Sequence, residues 1–241
     1  MNIIITMAGL GTRFRKAGYE MPKYMIKARG KTLFEWSMDS LLGYHGHVSK
    51  YVFVVRREDG AADFIREQSR RYGIQQVEVV EIDHMTDGQA TTCMLAIPFC
   101  NPEESVLIYN IDTYVEPYEM KYEEIAGDGH IPCFHAKGDH WSFARLDTEG
   151  RVAEVREKVR ISDNCTLGAY YFSSAELYQR MYEEYYADDS RMEKNEKYIA
   201  PLYNYMIEKG FSVTISLVDE RKVHVLGTPE ELQEFLKGEA G

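Results

Sequence analysis

The chain has 241 residues, 44% of them hydrophobic and 12% aromatic, enough apolar material to close a substantial core in one large domain or two small ones. Its 28 Lys and Arg stand against 39 Asp and Glu, and the resulting charge of −11 repels a long polyanion, which argues against nucleic acid as a partner. No run approaches the ~20 apolar residues of a membrane span, and four cysteines without a CxxC pair read as reduced thiols in a soluble, cytoplasmic protein.

In chain order, "NIIITM" (2–7) predicts a buried strand, and "KTLFEWSMDSLLGY" (31–44) a helix on the spacing of Leu33, Phe34, Met38, Leu41 and Leu42. "YVFVV" (51–55) is a second strand, 58–73 a helix stopped by Gly73, and "VEVVEI" (77–82) a third strand. A helix over 88–97 and the strand "SVLIYNID" (105–112) complete four alternations of strand and helix. That order predicts an α/β fold, a mostly parallel sheet with helices on both faces, whose ligands bind beyond the carboxyl ends of the strands. The glycine turn after strand one and "NID" (110–112) both fall on that rim.

After residue 127 short strands follow: "IPCFHA" (131–136), "WSFARLD" (141–147), "RVAEVREK" (151–158) and "TLGAYYF" (166–172). Helices over 174–187 and 198–210, the strand "FSVTISLV" (211–218) and a helix over 228–237 close the chain. No linker or repeat separates the halves, so the expectation is one domain over 1–241, in which 128–241 completes the sheet of 1–127 and supplies a lid or pocket. The histidines show no metal-ligand spacing, and pairs such as His45/His47 and His135/His140 read as surface or turn residues.

Charge is unevenly spread. Residues 1–34 hold seven basic side chains against the single acid Glu20, a local +6 on an acidic body, as a site for a small anion would. The turn at its centre, "MAGLGTRF" (7–14), is neither a Walker A loop nor a GxGxxG fingerprint, because Phe14 stands where either needs a different residue. What remains is glycine backbone that can approach phosphate oxygens and an arginine able to fork across two of them. A tight strand–helix turn with solvated cations fits the same residues.

The longer pattern "MAGLGTRF…MPKYMIKARGKTLFEW" resembles the signature of nucleotidyltransferases that activate sugar 1-phosphates and related phosphate esters. Gly9, Gly11, Thr12, Arg13, Pro22, Lys23, Gly30 and Lys31 match it, with Thr32 in place of the usual proline. The likeness continues through "GQA" (88–90), "NID", "REK" (156–158), "TLGAYYF" and "LGTPEEL" (226–232), nearly the whole length. It implies a Rossmann-like, GT-A-like single domain with a nucleotide-binding half (1–127) and an acceptor-binding half (128–241). It also implies a reaction in which a nucleoside triphosphate and a phosphorylated acceptor are joined with release of pyrophosphate.

By resemblance, the backbone of Ala8, Gly9, Leu10 and Gly11, with Thr12, holds the nucleotide. Arg13 and Lys23 are the catalytic cations, on the departing pyrophosphate and the α-phosphate. Asp112 binds Mg²⁺, although a strand-end turn former is its plain alternative; Gly88 packs against the base, with Gln89 or Asp87 at its edge. On the acceptor side stand Glu157 and Lys158, then Trp141, Gly168, Glu196, Tyr198 and Asn204, residues that solvated strand ends or core aromatics would equally explain. The compact length looks like the cytidylyltransferase-like members of surface-polysaccharide pathways, with CTP as donor and sugar or non-sugar phosphates as acceptors.

One position departs from the pattern. An aspartate usually stands two residues before the late "GTP" turn; here it is Val225, which leaves His224 or Asp219 as substitutes, or Asp112 alone with the phosphates. Two other classes compete. A glycosyltransferase would want a DxD motif where "NID" offers one aspartate, and a nucleotide-sensing subunit would explain Val225 but not the retention of Arg13 and Lys23.

Overall fold

The computed structural model describes residues 1–238. From the N-terminus, β1 (Asn2–Thr6) is followed by α1 (Thr12–Lys16), a small arm of β2 (Lys27–Ala28) and β3 (Lys31–Thr32), and α2 (Leu33–Asp39). Then come β4 (Lys50–Arg56), α3 (Ala62–Arg71), β5 (Val77–Ile82), α4 (Gln89–Met94), β6 (Val106–Asn110) and the short β7 (Thr113–Val115). The second half adds β8 (Gly129–His135), β9 (Ser142–Leu146), β10 (Val152–Glu157), β11 (Asn164–Thr166) and β12 (Ala169–Phe172). It closes with α5 (Ala175–Tyr185), α6 (Ala200–Glu208), β13 (Val213–Leu217), β14 (Val223–Val225) and α7 (Pro229–Lys237).

A ten-stranded sheet carries the molecule in the order β10-β9-β11-β8-β12-β6-β1-β4-β5, with β13 paired to β8. β1 lies between β4 and β6, parallel to both, and β5 extends this parallel half. β12 joins β6 antiparallel, Ala169 opposite Tyr109, and so attaches the second half to the first. The alternation of strands and helices in the sequence is thus realised as a mixed α/β sheet, parallel throughout its first half.

Successive strand residues point to opposite faces, and both faces are covered. Ile4, Val52, Val54 and Ile108 pack with Cys93 of α4 and Tyr178 of α5 on one side. Ile3, Ile5, Phe53 and Leu107 pack with Phe34 of α2 and Ile65 of α3 on the other. Each such buried side chain contributes about 1.5–3 kcal/mol. A third cluster, with Phe14, Leu33, Tyr114, Leu226, Leu232 and Phe235, packs α1, α2, β7 and α7 against one another.

Two elements depart from the sequence pattern. The helix expected over 31–44 is confined to Leu33–Asp39: Thr32 and Glu35 close a capping box at its start, and a 3-10 turn over Leu42–His47 replaces its end. There Gly43 meets the chain at Met120 so closely that a Cβ would lie 2.0 Å from the Met120 carbonyl oxygen. The strand expected over 166–172 is broken into β11 and β12 at Gly168, whose φ of +74° turns the backbone against Asn110.

Candidate active site

Thr6 and Asn110 are register partners at the carboxyl ends of β1 and β6, so the glycine turn and Asp112 leave the sheet side by side. Lys23, carried back from the turn region, donates from Nζ to Asp112 Oδ2 at 2.7 Å. The two side chains are 19% and 33% exposed, a half-sheltered pair rather than a solvated one. Burial pushes the Asp112 carboxyl up, but the Lys23 ammonium, with the Arg13 charge behind it, holds it below the usual carboxylate range.

Two cavities meet at this carboxylate. The first, of about 390 Å³, is lined by Ala8, Gly9, Lys23, Gly88, Gln89 and Asp112. The second, of about 290 Å³, has Arg13, Trp141, Glu157, Gly168 and Tyr198 in its wall and shares Gln89, Asn110 and Asp112 with the first. Of the other turn residues, Gly11 caps α1 and Thr12 opens it, while Leu10 faces a neighbouring hollow with Arg57 and Met85.

Gln89 is held in place by donating from Nε2 to Thr6 Oγ1 at 3.1 Å and to Asn110 Oδ1. Gly88 has φ +147°, and a Cβ on it would lie 2.4 Å from the carbonyl oxygen of Lys197. That carbonyl accepts from Ala90 N at 3.0 Å, the Lys197 amide donates to Asp87 O at 2.8 Å, and its ammonium pairs with the Asp87 carboxylate at 2.9 Å. Segment 193–197 is therefore anchored on the turn over 86–90. In consequence Glu196, expected on the acceptor side, lines the first cavity, whereas Tyr198 lines the second.

In the second cavity Glu157 is nearly enclosed, its side chain 11% exposed, with the Ser142 hydroxyl donating to it and the Lys158 ammonium 3.2 Å away. Lys158 also donates to the Tyr198 hydroxyl at 3.0 Å and lies 4.6 Å from the centre of that ring. Its φ of +54° is a strained backbone for a side chain of this kind. Trp141 stands edge-on to Phe134 and donates its indole N–H to Lys137 O at 3.0 Å. Asn204 is not part of the wall. Its amide bonds both the N–H and the C=O of Val155, pinning α6 to β10.

A Cβ on Gly227 would lie 3.4 Å from both Asp112 Oδ2 and Glu231 Oε2, so two carboxylates come near one glycine; with substrate phosphate oxygens such an all-oxygen set would suit a hard cation such as Mg²⁺. Neither substitute expected for the absent aspartate is there. His224 stacks on Tyr114 and faces Glu116, and Asp219 is paired with Arg221. Three residues of the site carry little local signal in the sequence: Asn110 within "NID", Lys197, and Glu231, which reads as an ordinary helix-start glutamate.

Together the parallel sheet, the glycine turn and the two adjoining cavities define a Rossmann-like nucleotidyltransferase fold. No family model matches the chain, and no curated protein does. Among solved structures, a nucleoside-diphosphate-sugar pyrophosphorylase from Vibrio cholerae RC9 is 36% identical over 99% of this chain and 100% of its own, with a TM-score of 0.90. The inositol-1-phosphate CTP transferase from T. maritima shares the fold at 17% identity, covering 100% of this chain and 98% of its own, with a TM-score of 0.75. A Bacillus anthracis protein assigned as a glucose-1-phosphate thymidylyltransferase does so at 15% identity, covering 100% and 97%, with a TM-score of 0.79. The chain belongs to the sugar-phosphate nucleotidyltransferase family.

Proposed function

We propose that this protein is a Mg²⁺-dependent nucleotidyltransferase that moves a nucleoside monophosphate from a triphosphate, CTP by preference, to a phosphorylated sugar or other small phosphate ester. The observation that carries the proposal is the Lys23–Asp112 pair, with Arg13 nearby, at the junction of two adjoining cavities on the rim of the sheet.

The chemistry asks for little beyond charge and alignment. An acceptor phosphate oxygen attacks the α-phosphorus, a new P–O–P bond forms, and the α–β bridging bond breaks so that pyrophosphate leaves with its electron pair. The second pKa of a phosphate ester is ~6, so the nucleophile is already a dianion at pH 7 and no general base is required. Two polyanions must instead be neutralised and aligned. Lys23 serves the α-phosphate, and Arg13, in the wall of the second cavity where it meets Asp112, is given the leaving pyrophosphate on the family resemblance. The backbone of 8–11 holds the triphosphate, while Gly88 and Gln89 receive the base. Asp112 would hold Mg²⁺, which supplies charge stabilisation on the phosphate oxygens when bound. Glu157, Lys158, Trp141, Gly168 and Tyr198 form the acceptor site.

The CTP preference and a product destined for surface polysaccharide rest on the resemblance to compact cytidylyltransferase-like enzymes. The test is pyrophosphate release across the four nucleoside triphosphates with a panel of phosphorylated sugars, polyols and amino acids. Release only when a triphosphate and one acceptor are both present, fastest with CTP, is expected. Silence throughout with nucleotide still bound points to a sensor.

A further inference from the structure

The start of α7 reads Thr228-Pro-Glu-Glu231, the same T-x-x-E pattern as Thr32-Leu-Phe-Glu35 at the start of α2. In such a box the N-cap hydroxyl accepts from the N3 amide, and the N3 carboxylate reaches back to the N-cap amide. At α2 both halves are made: Thr32 N and Oγ1 donate to Glu35 Oε2 at 2.7 and 2.8 Å, and Glu35 N donates to Thr32 Oγ1 at 3.2 Å. At α7 one half is made, Glu231 N to Thr228 Oγ1 at 3.2 Å.

The Glu231 carboxylate does not turn back. Its Oε2 is shielded from solvent and has no hydrogen-bond partner among the described residues. An unpartnered carboxylate oxygen in that state is costly, the more so for a charged group. It and Asp112 Oδ2, which also accepts from the Lys23 ammonium, each lie 3.4 Å from the point where a Cβ on Gly227 would be. Leu232 and Phe235, buried on the next turn of α7, hold the helix start in this orientation.

The same corner lacks its usual acid. Val225, where the family pattern carries an aspartate, is opposite Thr113 in the β14–β7 pair, beside Asp112, and lines the same cavity. We infer that Glu231 is the second carboxylate ligand of the divalent cation, reaching from α7 into the place that an aspartate at position 225 would otherwise fill. The inference rests on the proposed metal role of Asp112. It also accounts for the capping box left half open: the carboxylate is withheld from the helix end for a cation. One or two carboxylates with substrate phosphates is the usual holding of Mg²⁺ by a protein.

The test is Mn²⁺ alone, a hard oxygen-seeking substitute, titrated into the full chain and followed by loss of the free-ion electron paramagnetic resonance signal. Wild type, D112N, E231Q and E231Q/V225D are compared. Glu231→Gln is expected to weaken Mn²⁺ binding about tenfold or more, in line with the 10–100-fold losses typical around metal sites. Adding Val225→Asp to it is expected to restore most of that loss. Wild-type affinity in E231Q with binding lost in D112N overturns the role of Glu231 and leaves that of Asp112 intact. Wild-type affinity in D112N, or no Mn²⁺ binding by wild type, overturns both. Should E231Q fail to fold by thermal unfolding, E231A is judged by the same titration.

Discussion

Replacing Lys23 with methionine keeps most of the length of the side chain and removes its charge. The lysine is 2.7 Å from Asp112 Oδ2, with side chains 19% and 33% exposed, so water screens the pair only in part. Exposed ion pairs contribute at most about 1 kcal/mol to stability and breaking a buried one costs about 3–5; this half-sheltered pair falls between the two. In the transition state the same ammonium would face charge developing on the α-phosphate, where loss of one well-placed donor costs about 2.7–4 kcal/mol, or 10²–10³ in kcat. Stability and turnover are therefore measured separately. Steady-state pyrophosphate release should fall by 10² or more under conditions where urea unfolding shows the variant to be folded. A variant that keeps turnover within about fivefold of wild type, or one whose activity falls only because it unfolds, would refute this role for Lys23.

Other positions give independent checks. Glu157→Gln should raise the KM for the acceptor about tenfold and leave that for the triphosphate unchanged, read from initial rates with both substrates varied; equal effects on both would contradict a purely acceptor-side role. Gly168→Ala places a Cβ 2.4 Å from Asn110 Nδ2 at a φ of +74°, and should destabilise the fold by about 1–3 kcal/mol in urea unfolding. His130, buried between Thr214 and Ser216, has its pKa lowered by desolvation to about 4. A depressed base keeps its full contribution above the ordinary value of ~6.5 and loses it as pH falls toward 4, because only the unfolded chain then takes up the proton. Wild type should thus lose about 3 kcal/mol between pH 7 and pH 4 on this account, and His130→Gln should flatten the decline; parallel curves for the two proteins would rule it out.

Strands whose residues are buried in unbroken runs, such as Asn2–Thr6 and Lys50–Arg56, were readable from the sequence because their side chains alone specify them. What was not readable depends on distant chain. The end of α2 is set by Met120 approaching Gly43, and the break between β11 and β12 by Asn110 against Gly168. The three-residue strands Thr113–Val115 and Val223–Val225 exist only as each other's partners. At the site, Lys23 and Asp112 are 89 positions apart, yet their meeting was foreseeable because both follow strands that end on one rim. That Glu196 lines the first cavity beside Asn195 was not readable, because the Asp87–Lys197 pair that anchors its segment has no local signature. Glu231 was hidden by its likeness to a helix cap.

The central claim is that the Lys23, Arg13 and Asp112 cluster neutralises a triphosphate so that another phosphate can displace its outer two groups. Following ³²P from CTP labelled at either the α or the γ position, with a competent phosphorylated acceptor, tests this directly. The α label is predicted to appear in a nucleoside-diphosphate-linked product and the γ label in pyrophosphate, in equal amounts. Release of γ label as orthophosphate, or CTP that binds and is recovered unchanged with every acceptor, would contradict it.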